Sequence, residues 1–247
     1  MFAARRNDVD NAGDTGPDLP NIPLLDDAID LEAEREQKPT WRGWIHAGTF
    51  PLAIVAGIVL IVLSDGVPAK IASAIFMASS LLLFGVSAVY HRFDWNPRTK
   101  AVFRRLDHSN IFLLIAGTYT PLAIDALEYP KNVIMLSVIW GGAILGILSR
   151  IFWLKAPRWS YVVLYVGLGW AAVIYMGDLF AANPVTMILV IVGGLAYTTG
   201  ALFYAFKRPN PVPGVFGFHE LFHSCTVIAF ICHWFGIVLV AMHPIVG

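Results

Sequence analysis

Charged side chains are scarce in this sequence, and those it has are unevenly spread. Of its 247 residues 57% are hydrophobic and only 14% charged, against about 25% charged in a soluble domain. That shortage excludes an ordinary water-soluble globule. Ten of the 17 acidic residues fall in the first 40 positions, beside only four basic ones, Arg5, Arg6, Arg35 and Lys38. Cysteine is almost missing too. Cys225 and Cys232 are the two present, and seven residues apart on one helix they lie about 10 Å from each other, too far for a disulfide bond. A disulfide scaffold is therefore excluded. Downstream of His223 the chain contains no Asp or Glu at all, which bears on chemistry below.

What is abundant is apolar sequence in runs of the length that crosses a bilayer core of about 30 Å. Seven such runs lie between polar breaks, at 44–64, 68–90, 106–126, 131–152, 159–177, 184–206 and 217–241. The breaks SDGVP, DWNPRTK, LEYPK, LKAPRWS, AANP and KRPNPVPG carry turn residues. The expected fold is an all-α polytopic membrane protein, a seven-helix bundle spanning 41–247. Residues 1–40, acidic and rich in Asp, Pro and Gly, read as a solvated, largely disordered tail rather than a cleavable signal peptide.

Basic residues choose the orientation. Arg92, Arg98, Lys100, Arg104, Arg105, Arg150, Lys155, Arg158, Lys207 and Arg208 follow the second, fourth and sixth runs, and only Lys70 and Lys131 lie in the opposite loops. Basic loops stay in the cytoplasm, so the N-terminus is expected inside and the C-terminus outside, the reverse of a G-protein-coupled receptor.

That orientation gathers the polar residues at membrane depth, where ionisable groups are costly and mark function. The second run ends SAVYH, the third begins RRLDHSN, and the seventh begins FGFHELFHS. All three of those ends are cytoplasmic, so Ser87, His91, Asp107, His219 and His223 fall in one layer. Residues at i and i+4 share a helix face, which stacks Ser87 with His91 and His219 with His223. Three imidazoles suit one Zn²⁺ whose open fourth position holds water. Asp107 is placed to orient that water or take its proton, and Ser87 to hydrogen-bond a ligand, the water or a substrate carbonyl.

HELFH also matches H-E-x-x-H, the zinc motif of metalloproteases. The absence of any carboxylate downstream removes their common third ligand. The extended form of the motif fails as well, because Thr226 stands where its glycine is needed. Glu220 points about 100° away from His219 round the helix, to approach the site or to cap the helix start. The other histidines are weaker candidates. His108 points about 100° from Asp107, His233 lies about 15 Å beyond His223, and His46 and His243 read as interfacial residues near span ends.

SAVYHRFDW, RRLDHSNIFLLIAGTYTPL and GFHELFHSCTV resemble the three signature regions of the hemolysin III family, bacterial relatives of the progestin and adipoQ receptors that include the adiponectin receptors. The resemblance covers about 44–245 and omits the acidic tail. It implies a seven-helix bundle with zinc near the cytoplasmic face, held by His91, His219 and His223. It further implies Asp107 on the zinc-bound water and Ser87 behind it, and leaves Glu220 without a role. It points to the bacterial plasma (inner) membrane, to membrane lipids rather than nucleic acid as partners, and to a zinc-dependent lipid amide hydrolase or a regulator of membrane lipid homeostasis. The alternative it carries is a receptor-like or pore-forming, haemolytic protein in which zinc is structural.

Overall fold

A computed structural model describes residues 39–152 and 158–245; the expected tail lies, apart from its last two residues, outside them. The described residues form helices and turns, with no strand. The helices are α1 (Trp44–Leu63), α2 (Gly66–Arg92), α3 (Pro97–Ala126), α4 (Lys131–Phe152), α5 (Arg158–Gly169), a 3-10 turn (Ala171–Tyr175), α6 (Met176–Ala182), α7 (Pro184–Phe206) and α8 (Phe218–Ala241). Six stretches are long and apolar enough to cross a membrane: α1, α2, α4, Val162–Ala182, α7 and α8. The chain is thus a polytopic, all-α membrane protein.

The seventh long helix is α3, and it differs from expectation at its start. Arg98, Lys100, Arg104 and Arg105, expected in a loop, are helical. The reason is local: Asn96 caps the helix by accepting a hydrogen bond from the Thr99 N–H at 2.9 Å, and Pro97 occupies the first turn, where its missing N–H costs nothing. The fifth run also differs, for it breaks at Trp170. Tyr119 of α3 repairs the break. Its hydroxyl donates to the Gly169 carbonyl at 2.7 Å and accepts from the Ala172 N–H at 2.9 Å, satisfying backbone groups that apolar surroundings would otherwise leave stranded.

Packing is inverted relative to a soluble protein. Large apolar side chains such as Leu52, Val62, Leu145 and Ile174 face outward, while Ser73, Ser79, Asn110, Thr118, Thr120 and Thr186 are buried. The pairs α2–α3, α1–α2 and α7–α8 pack most extensively, and α8 also touches α1, α2 and α3. Polar ties fix the register. Thr186 Oγ1 donates to Gly236 O at 2.9 Å, Trp234 Nε1 to Ala56 O at 2.8 Å, and Asn110 Nδ2 to Leu82 O at 3.0 Å. Cys225 and Cys232, both on α8, are free thiols.

Candidate metal centre

Three helix ends meet around the polar residues singled out in the sequence. His91 is on the last turn of α2, Asp107 on α3 ten residues after its first, and His219 and His223 on the first two turns of α8. The ligand nitrogens of His91, His219 and His223 all lie within 4.8 Å of one another, and the Nε2 atoms of His91 and His219 are 3.3 Å apart. His91 and His223 are buried and His219 nearly so. These three side chains are close enough to bind one metal ion. Asp107 Oδ2 stands 3.7 Å from His91 Nε2, and Ser87, one turn before His91, lines the same end of the cavity as this carboxylate.

The approach of these helices depends on a glycine. Gly43, just before α1, has φ +82° and sits so close to α2 that a Cβ there would lie 2.8 Å from the Cβ of His91. Beside it the Arg92 guanidinium covers the Trp44 ring at 4.0 Å. The segment leading into α1 therefore lies over the site.

Glu220 does not reach the histidines. One of its oxygens accepts from the Gly217 N–H at 2.9 Å, the helix-capping geometry, and the other accepts from Arg42 Nε at 2.6 Å. The acid of HELFH is thus a clasp between α8 and the segment before α1, and the metalloprotease arrangement is absent from these residues.

His46 is the residue that sequence reasoning missed. Expected at an interface, it is instead only 2% exposed, with its ring stacked on His223 at 3.9 Å between centroids and 9° between planes. Both its nitrogens are buried without a hydrogen-bond partner among the described residues. The signal was available: α1 runs in the same direction as α3, so the start of α1 belongs to the same layer as Asp107. His108 lies beside the site, with Nδ1 against the Arg150 guanidinium. His233, as expected, is too deep to join the cluster, while His243 is exposed.

A cavity begins at this cluster. His46, Ser87, Asp107, His219 and His223 line one end, Leu114, Ile115 and Leu122 of α3 form an apolar wall, and Tyr197 and His233 lie at the far end.

An all-helical multi-pass membrane protein with a buried three-histidine cluster at one end is the class these features define. Residues 35–234 match the family model described as Haemolysin-III related, and the chain belongs to that family. It is 32% identical over 161 residues to Hemolysin-3 of Bacillus cereus, covering 64% of this chain and 73% of that protein. It is 33% identical over 135 residues to the Hemolysin-3 homolog of Bacillus subtilis (strain 168), covering 54% of this chain and 63% of that one. A more distant relative is the Progestin and adipoQ receptor-like protein 1 of Caenorhabditis elegans, 30% identical over 188 residues, or 68% of this chain and 43% of that protein.

Proposed function

We propose that this protein is a zinc-dependent hydrolase of lipid amides in the bacterial plasma membrane, with His91, His219 and His223 as the zinc ligands. The observation that carries the reading is a buried three-histidine cluster, flanked by a carboxylate, at the mouth of an apolar cavity. Zinc suits the donor set: two Zn–N bonds of about 2.0–2.1 Å at a tetrahedral angle place their nitrogens about 3.3 Å apart, the spacing between His91 and His219. When bound, zinc supplies Lewis-acid polarisation of a carbonyl and a water of lowered pKa.

The chain's own residues supply the rest. Asp107 is the general base: its carboxylate lies beside His91 and takes a proton from water at the cluster. His91 orients that carboxylate, and Ser87, at the same end of the cavity, is placed to bond it or the substrate carbonyl. The apolar wall of α3 seats the lipid's chains, leaving the polar linkage at the histidines. In this reading α3 crosses the membrane as a seventh span, the N-terminus is cytoplasmic, and the site lies near the cytoplasmic face, as the basic residues favour.

A second reading draws on two features. His91 belongs to α2 and the other two histidines to α8, so an ion there would brace two helices. Two relatives also carry the name Hemolysin-3. On that reading the protein is a receptor-like or pore-forming one with structural zinc. The first experiment is elemental mass spectrometry of the detergent-purified protein beside a His219→Ala/His223→Ala variant. About one zinc per chain is expected, lost in the variant; no zinc in either, after zinc is supplied, would sink the hydrolase reading. Asp107→Ala then separates the two. The hydrolase reading expects zinc retained and amide turnover lowered by about 100-fold or more, whereas the bracing reading expects function unchanged.

A further inference from the structure

The far end of the cavity is polar, and its polarity has a defined form. Most hydrogen-bonding side chains along the deep wall are committed within the protein. Thr118, Thr198 and Thr226 donate to carbonyls on their own helices, Tyr119 bridges the α5 break, and Trp170 donates to Thr198. Two atoms are left. Tyr197 Oη and His233 Nδ1 are buried with no hydrogen-bond partner among the described residues, although both side chains line the cavity and their rings are 5.6 Å apart.

The chemistry of the pair follows from what fixes His233. Its Nε2 lies 3.3 Å from the Val190 carbonyl, which can only accept, so Nε2 carries the proton and Nδ1 of the neutral ring is an acceptor. Tyr197 offers an O–H donor. His233 is only 8% exposed, and it packs so tightly on Gly193 that any Cβ there would overlap its ring. The His233 ring is therefore held in place. One donor and one acceptor side by side complement a group that accepts and donates at once, and buried polar atoms of this kind are costly unless such a group is supplied.

We infer that Tyr197 and His233 form a second binding subsite, which takes a hydroxyl carried on the ligand's hydrocarbon chain. His233 is ten residues beyond His223 on α8, about 15 Å along the axis, or roughly a dozen carbons of extended chain with bonds of about 1.5 Å. The ligand class is a hydroxylated acyl chain whose head lies at the histidine cluster and whose hydroxyl lies about twelve carbons away. This rests on the reading that a lipid places its polar linkage at that cluster.

The test is competition binding to the full chain in detergent, using dodecanoic, 6-hydroxydodecanoic and 12-hydroxydodecanoic acids against a fluorescent fatty acid. The 12-hydroxy acid is expected to bind about tenfold more tightly than the other two, as two added hydrogen bonds allow. Tyr197→Phe keeps the ring and removes the donor, and should bring that ratio close to one while leaving dodecanoic acid unaffected. Equal binding of the three acids, binding of none, or a preference that survives Tyr197→Phe would overturn the subsite. The ratio needs neither metal nor turnover. A protein that holds no zinc yet shows the preference breaks the hydrolase reading alone, and a zinc-loaded hydrolase without the preference breaks the subsite alone.

Discussion

Helices α3 and α4 are neighbours in sequence and pack against each other, yet they obey opposite rules. From α4 only Met135, Ile139, Ala143 and Gly146 are buried, a single stripe at spacings of four, four and three, and the other faces present Val138, Ile144, Leu145 and Leu148 outward. Helix α3 buries Asp107, Ser109, Asn110, Thr118, Tyr119, Thr120 and Asp125 among its apolar residues. The bilayer explains the difference. A helix facing lipid needs apolar side chains nearly all round, whereas one surrounded by other helices can carry polar groups; most of those on α3 find partners, Ser109 Oγ and the Asp125 carboxylate being the exceptions among the described residues. The helix least like a membrane span by composition is thus the one that brings the site its carboxylate and the cavity its apolar wall.

Substitutions can sharpen that contrast. The largest stability effect is expected at the seam between the two helices. Gly146 lies against Phe112, and a side chain there would overlap the ring; Gly146→Leu should cost about 3 kcal/mol, read as a lowered Tm in detergent. Next is Tyr119→Phe, which strands the Gly169 carbonyl and the Ala172 N–H and should cost about 1–2 kcal/mol. Faster hydrogen exchange at Ala172 would accompany the lower Tm, and an unchanged rate would break the claim that Tyr119 holds the interrupted span. Asn110→Leu removes one interhelical bond, worth about 0.6 kcal/mol in a membrane setting, and thermal unfolding should show a correspondingly small shift. Smallest is Leu145→Ala on the outward face of α4, 69% exposed, which should stay within about 0.5 kcal/mol. A loss there comparable to Gly146→Leu would mean that this face is covered by protein rather than lipid.

The spans were legible because hydropathy and turn residues report on lipid exposure, which acts on every residue of a run. Six of the seven runs correspond to single helices within a few residues, apart from the early start of α3, while the fifth breaks at Trp170 and continues to Ala182. That start was signalled by Asn96-Pro97, but the basic residues behind it outweighed the cap signal. The convergence of His91, His219 and His223 was legible for a different reason: successive runs alternate in direction, so the end of the second and the start of the seventh fall at one depth. The same reasoning applied to α1 would have found His46, had its nearness to the span start not suggested an interface. Two other features left no trace in the sequence. That Glu220 turns toward Arg42, and that Tyr197 meets His233, depends on how separate helices rotate about their axes, which neither periodicity nor depth specifies.

The Glu220–Arg42 clasp has a consequence for leverage. The segment before α1 is also fastened to the α7–α8 loop, through the N–H groups of Thr40 and Trp41 to the carbonyls of Gly214 and Val215 at 3.2 Å each. The carboxylate that closes this fastening is adjacent in the chain to His219. A pull on the chain ahead of residue 39 is therefore borne by the α7–α8 loop and then by the turn that carries a histidine of the cluster, and the front of the molecule is a handle on the three histidines.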